Sequence, residues 1–188
     1  MIAAAIVCAA AMVQASAFQW KTGMDEDVSL PGGSSWVTGS AYIFASTTDG
    51  SGATVLQKTL VDAFAAGTLD LGSAGALDIS DVDAGAISTQ TAFNYGADGD
   101  TSKYFFAIVT ADGDGNQMLY ISTEANGKGV NGKTTKMTFE EAAASALAAK
   151  DASGSYQGAG WYTAVPEPTS GLLLLLGVAG LALRRRRA

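Results

Sequence analysis

The sequence contains no histidine, and its only cysteine is Cys8. Cys8 lies in an N-terminal segment that we expect to be removed, so the mature protein would hold neither residue. A disulfide, a zinc site with histidine or cysteine ligands, a cysteine nucleophile and a Ser-His-Asp triad are therefore excluded.

Basic residues are also scarce in the body of the chain. Residues 18–164 contain 7 Lys against 17 Asp or Glu, a formal charge of −10. Such a surface repels nucleic acid, whose binding requires a basic footprint, so we expect no nucleic-acid partner. The only arginines are four consecutive residues near the C-terminus: Arg184, Arg185, Arg186 and Arg187.

The N-terminal segment has the pattern of a signal peptide. Residues 2–13 are an apolar run, followed by Gln14 and the small residues Ala15, Ser16 and Ala17. A transmembrane helix needs about 20 apolar residues, so this run is too short for one. The A-x-A triplet that follows it is typical of a signal-peptide cleavage site. A basic segment before the run is missing, so either the true start codon lies upstream or the signal is unusual. We expect signal peptidase to remove residues 1–17.

The C-terminal segment combines an extended motif, an apolar helix and a basic tail. Val165, Pro166, Glu167 and Pro168 precede the apolar residues 171–183. The two prolines disfavour helix and keep the motif extended. Thirteen helical residues measure about 20 Å, against a hydrocarbon thickness of about 30 Å, so the helix spans marginally. The arginine run would stay cytoplasmic and leave the body on the outer side.

This order of elements resembles the PEP-CTERM sorting signal, over residues 165–188 only. The resemblance implies recognition by an exosortase, a membrane cysteine protease or transpeptidase of Gram-negative bacteria that also make extracellular polysaccharide. The motif would then be substrate rather than catalyst. A plain C-terminal membrane anchor is the alternative and would keep the same topology.

Residues 18–164 have the pattern of one small folded body, because 188 residues suit a single domain with short appendages. Residues 35–46 favour a strand, and residues 54–66 place apolar side chains at helical spacing. Residues 103–123 predict a β-hairpin around the loop 112–116. A second helix is expected over residues 138–150, with Thr138 and Glu141 as a capping box, and a last strand over 158–164.

These elements predict an α+β or mostly-β fold, a small antiparallel meander or sandwich with one or two helices. A signal helix would precede it and a membrane helix would follow it. No repeat with a period of 20 to 50 residues is apparent, so a solenoid is not expected.

Two patterns of acidic residues could gather a cation. Asp112, Asp114 and Asn116 have the spacing with which a calcium loop begins, but the glycine and the bidentate glutamate of an EF-hand are missing further along. We therefore interpret residues 112–116 as a hairpin turn and expect no cofactor. Other acidic groups are weaker candidates, since aspartate is common in loops. They are Asp98 with Asp100, and Asp78 with Asp81 and Asp83.

Catalysis by paired carboxylates and sugar binding by aromatic residues are the other chemistries that the composition allows. The body has only four glutamates, and no nucleophile motif is present. Aromatic side chains could form a sugar-stacking platform, although filling the core is their usual role. The glutamates are Glu26, Glu124, Glu140 and Glu141; the aromatics are Trp20, Trp36, Trp161, Tyr104, Tyr120 and Tyr156.

The sequence therefore predicts an exported, exosortase-sorted envelope or extracellular-matrix protein without catalytic activity. A polysaccharide- or calcium-binding module is the alternative, and a carboxylate-based hydrolase is a third. The expected partners are signal peptidase, exosortase, the membrane transiently, and an extracellular polysaccharide. The expected location is the inner membrane before processing and the envelope surface or exterior afterwards.

Overall fold

The computed structural model describes residues 17–22, 28–31, 35–46, 55–89, 92–95, 103–127, 133–139 and 149–164. Within these ranges the chain forms eleven strands, one α-helix and one short 3-10 helix, so the prediction of a mostly-β fold is confirmed. The elements are β1 (Ala17–Thr22), β2 (Gly39–Ala45), α1 (Val55–Ala65), β3 (Asp78–Asp83), β4 (Ala86–Ile87), β5 (Phe93–Asn94), β6 (Lys103–Ala111), β7 (Gln117–Ile121), β8 (Ala125–Asn126), β9 (Thr134–Phe139), β10 (Lys150–Asp151), the 3-10 helix (Ala152–Gly154) and β11 (Gly160–Thr163).

The described strands form a large sheet and a small sheet. The large sheet has the order β10-β11-β7-β6-β2-β3-β4, with β8 pairing with β6, and the small sheet has the order β5-β1-β9. The pairs β2–β6, β6–β7 and β7–β11 are antiparallel, as a meander requires. However, β1 pairs with β9 in parallel and β10 pairs with β11 in parallel, so the sheets are mixed rather than purely antiparallel.

Strand β6 is apolar along almost its whole length because it is covered on both faces. On one face, Tyr104, Phe106 and Ile108 join the first core, which also contains Phe18 and Trp20 of the small sheet. On the other face, Phe105 and Ala107 join the second core with Leu60, Val61 and Phe64 of α1. The large sheet therefore lies between the small sheet and the helix.

The hairpin of residues 103–123 is confirmed as β6 and β7, and the helix of residues 54–66 as α1. The expected strand over residues 35–46 begins at Gly39, although Trp36 forms an isolated bridge with Ser29. The last strand, β11, lies within the expected range of residues 158–164.

The start of the expected second helix is wrong. Thr138 is not a helix cap but a residue of β9, where it pairs with Lys21 of β1. The reason is burial: Met137 and Phe139 are almost completely buried in the first core, and Phe139 packs 5.1 Å from the ring of Phe106. Residues 140–148, with Glu140 and Glu141, lie outside the described residues, and Lys150 begins β10.

The predicted signal peptide and sorting signal also lie outside the described residues, apart from Ala17, the first residue of β1. In the part of the chain that is described, no helix has the length and apolar character needed to span a membrane.

Candidate functional site

The last strand of the body leads directly to the predicted sorting motif. Strand β11 is an interior strand, hydrogen-bonded to β10 on one side and to β7 on the other. Ala164 follows it, is half-buried and packs against the second core. Val165 is the next residue, so no linker separates the packed body from the motif. The folded body therefore ends directly before the first residue of the sorting motif.

A groove lies beside this chain exit. Ala164 shares it with Phe64 and Gly67 at the end of α1, with Leu69, and with Val109 and Gln117 of the hairpin. Its walls are both polar and apolar, and Phe64 and Val109 in its lining belong to the side of the large sheet that α1 covers.

The hairpin loop 112–116 lies at the same end of the large sheet, because Thr163 of β11 pairs with Met118 of β7. Both oxygens of the Asp112 carboxylate are used within this loop. Oδ1 accepts the backbone N–H groups of Asp114 and Asn116 at 2.9 and 2.8 Å, and Oδ2 accepts the side-chain amide of Asn116 at 3.0 Å. The hydrogen bonds from Asn116 keep the pKa of Asp112 below its usual value.

These contacts are those of a turn closed by an aspartate, which supports the hairpin interpretation over the calcium loop. Two of the three candidate ligands, Asp112 and Asn116, are hydrogen-bonded to each other. Among the described residues, no three or more Asp, Glu, His or Cys side chains come together as a metal site would need.

The second group of aspartates is divided by the alternation of β3. Asp81 and Asp83 point to one face of the strand and are exposed, whereas Asp78 lies on the other face. There the Asp78 carboxylate accepts the indole N–H of Trp20 at 2.9 Å. These three carboxylates therefore do not converge, and Asp98 and Asp100 lie outside the described residues.

Glu124 is the centre of a polar cluster at the opposite end of β6. Its carboxylate accepts hydrogen bonds from Ser46 and from the side-chain amide of Gln57, and Lys103 lies 3.2 Å away. Burial tends to raise the pKa of Glu124, but the hydrogen bonds from Ser46 and Lys103 outweigh it and hold the pKa below its usual value. The carboxylate is therefore ionised at neutral pH and serves as an acceptor.

Gln57 is fully buried in α1 and fixes this cluster against the helix. Its Nε2 donates to Ser46 and Glu124, while its Oε1 finds no hydrogen-bond partner among the described residues. Glu124 is the only glutamate of the body that is described, because Glu26 also lies outside the described ranges.

Most of the candidate aromatic platform is interior. Trp20, Trp161, Tyr104 and Tyr120 are almost completely buried in the first core, which is the usual role of such residues. Burial raises the pKa of Tyr156 to about 12, and its ring stacks on that of Tyr162 in the second core. Trp36 is different: 58% of its surface is exposed. The usual role of filling the core therefore applies to Trp20 and Trp161 but not to Trp36.

One cavity was not suggested by the sequence. It lies on the small sheet and is lined by Gln19, Trp20, Lys21, Ser88, Thr89 and Lys136. The alternation of β1 indicates that Gln19 and Lys21 share a face. However, no local sequence pattern indicates that Lys136 lies next to them. Lys136 is more than a hundred residues further along the chain and reaches this place through the pairing of β9 with β1.

Comparison with models of protein families identifies the C-terminal segment. Residues 164–187 match the PEP-CTERM protein-sorting motif. The chain carries this sorting motif at its C-terminal end. The PEP-CTERM motif marks an exported protein whose membrane-anchored precursor is processed by an exosortase. Comparison with curated proteins and with solved structures found no match to the chain.

Proposed function

We propose that the mature body of this PEP-CTERM protein is a non-catalytic component of the envelope surface or extracellular matrix, released from its membrane segment by cleavage near residues 166–168. The observation that carries the proposal is the PEP-CTERM motif, which begins where the packed body ends. In this proposal Pro166, Glu167 and Pro168 are the substrate of the exosortase, and Arg184 to Arg187 fix the orientation of the precursor.

The absence of catalysis is supported by the chemistry of the chain. Without histidine, and with Cys8 as the only cysteine, the body lacks the commonest acid–base side chain and the cysteine nucleophile. Among the described residues, Glu124 is held by Ser46 and Lys103 and has no second carboxylate in contact with it.

A polysaccharide-binding function is the second candidate, and the exposed indole of Trp36 favours it. One exposed ring offers a single stacking position, whereas a platform needs several rings in a row. This observation supports a weaker and less extended contact than the sequence pattern predicts.

Cleavage by the exosortase can be tested by measuring the intact mass of the protein recovered from a host that contains its exosortase. The dominant species should end near residues 166–168, and deletion of the exosortase should leave the longer precursor. Replacing Pro166 and Pro168 by Ala should slow processing, because helix could then extend backward through Glu167. Pro31→Ala is a matched control that removes a proline from the body and should leave processing unchanged. A dominant species that keeps residues 172–187 in the presence of the exosortase would refute the proposal and favour a permanent anchor.

A further inference from the structure

The cavity on the small sheet brings two lysines together from distant parts of the chain. Gln19 of β1 is the register partner of Lys136 of β9, and Lys21 lies two residues further along β1 on the same face. Diagonal neighbours of this kind are about 7–8 Å apart at the backbone. Two lysine side chains are long enough to reach a common point between them. The cavity has a volume of about 130 Å³, which suits a single charged group.

Neither Lys21 nor Lys136 forms a salt bridge with a described carboxylate. The described salt bridges join Lys58 to Asp62 and Lys103 to Glu124, which are elsewhere in the fold. In a body with a formal charge of −10, two lysines that line one cavity and pair with no carboxylate of the described residues form a local positive site.

The other walls of the cavity supply neutral hydrogen-bonding groups. Ser88 is exposed and forms a bridge with Lys21, so its hydroxyl lies at the rim. The hydroxyl of Thr89 is fixed, because it accepts the backbone N–H of Trp20 and donates to the carbonyl of the same residue, both at 2.9 Å. A ligand that carries both an oxyanion and hydroxyl groups matches these walls.

The surroundings of the cavity favour a glycan over a lipid or a nucleic acid. The large apolar side chains that are exposed in the described residues are Trp36, Val55 and Ile79, and none of them lines the cavity. In the described part of the chain, a lipid surface would therefore meet no exposed large apolar side chain at the cavity. A nucleic acid would meet the net negative charge of the rest of the body over its whole length. A glycan with spaced charges can place one oxyanion in the cavity and neutral sugar units beside it.

We propose that the cavity between Lys21 and Lys136 binds a carboxylate or sulfate group of an acidic glycan. The two ammonium groups hold the oxyanion from either side, and Ser88 contacts a neighbouring hydroxyl. The proposal does not depend on sorting, because the cavity belongs to the folded body and not to the PEP-CTERM segment. Failure of exosortase processing would therefore leave it unaffected.

Binding of a hyaluronan oligomer, in which each uronic acid alternates with a neutral sugar, to the full chain in neutral detergent, measured by calorimetry, tests the proposal. Lys21→Gln and Lys136→Gln should each weaken binding about tenfold, as expected for loss of one charge-assisted hydrogen bond. Lys133→Gln and Lys58→Gln are the control variants. Lys133→Gln removes a positive charge just before β9, near the cavity, and Lys58→Gln removes one from α1. These two controls should change the affinity less than about twofold, since neither residue lines the cavity. The arginine tail is present in every variant.

Three outcomes would overturn the proposal. Equal weakening in all four variants would show attraction by overall charge or by the arginine tail. No measurable binding of the oligomer by the unmodified chain would remove the site. Tighter binding of glycerol phosphate, the soluble headgroup of a phospholipid, with the same dependence on Lys21 and Lys136 would identify a lipid headgroup instead. Neutral dextran should not bind, and a sulfated dextran should show the same dependence on the two lysines.

Discussion

Trp161 joins the last strand of the body to a segment more than a hundred residues earlier in the chain. Its side chain is completely buried, and its indole N–H donates to the backbone carbonyl of Ser29 at 3.0 Å. The ring also packs 5.1 Å from that of Tyr120. We therefore expect Trp161→Phe to destabilise the fold through the loss of one hydrogen bond and part of a ring.

The size of the effect follows from these contacts. Phenylalanine fills less of the site, and about 40 Å² of lost apolar burial corresponds to about 1 kcal/mol. The carbonyl of Ser29 would lose its buried indole donor, which costs about 1–3 kcal/mol. The free energy of unfolding should therefore fall by about 2–4 kcal/mol, a large part of the roughly 5–15 kcal/mol that stabilises a typical domain.

Urea unfolding of the full chain in neutral detergent, followed by circular dichroism, measures this change. The midpoint should fall while the dependence on urea concentration stays the same, since the surface exposed on unfolding hardly changes. Trp36→Phe is the matched control, because Trp36 is 58% exposed and the same substitution there should cost less than about 0.5 kcal/mol. Equal midpoints for the two variants would refute the assignment of Trp161 as a buried, hydrogen-bonded anchor.

Two further predictions concern the polar cluster and a tight turn. The pKa of Glu124 is lowered by folding, so its stabilising contribution is present above the unfolded pKa and is lost as pH falls through the folded pKa. Glu124→Gln should therefore reduce the free energy of unfolding at pH 7 by about 1–2 kcal/mol. The decrease in this free energy between about pH 5 and pH 3 should also be smaller in the variant. An unchanged decrease would contradict the stabilising role of the ionised Glu124 carboxylate. Gly85 has φ +84°, and a Cβ there would lie 2.6 Å from the carbonyl oxygen of Val28, so thermal melts of Gly85→Ala should show a loss of at least about 2 kcal/mol. Gly113→Ala, with no atom within 4 Å of its added Cβ, should change stability by less than about 0.5 kcal/mol, and similar melts for both variants would contradict the close approach.

The elements that could be predicted from the sequence are those specified by neighbouring residues. The hairpin of β6 and β7 has its turn chemistry in residues 112–116, and α1 shows helical spacing of its apolar residues. Both signals are complete within about twenty residues of chain.

The elements that could not be predicted depend on distant partners. Strand β9 lies where a helix start was expected, because its pairing with β1 and the burial of Phe139 against Trp20 and Phe106 outweigh the local capping pattern. The parallel pairing of β1 with β9 also creates the cavity of Lys21 and Lys136. For the same reason, composition indicated an acidic body but could not show that two lysines converge within it.

The chain exit and the lysine cavity lie on opposite sides of the large sheet. Ala164 packs against the second core, which α1 covers, whereas Lys21 and Lys136 belong to the small sheet, which covers the first core. Packed sheet layers are about 10 Å apart, so the large sheet and the first core separate the two regions. The described chain therefore ends, at Ala164, on the helix side of the large sheet. The proposed glycan site lies on the other side, and it shares no lining residue with the groove beside Ala164.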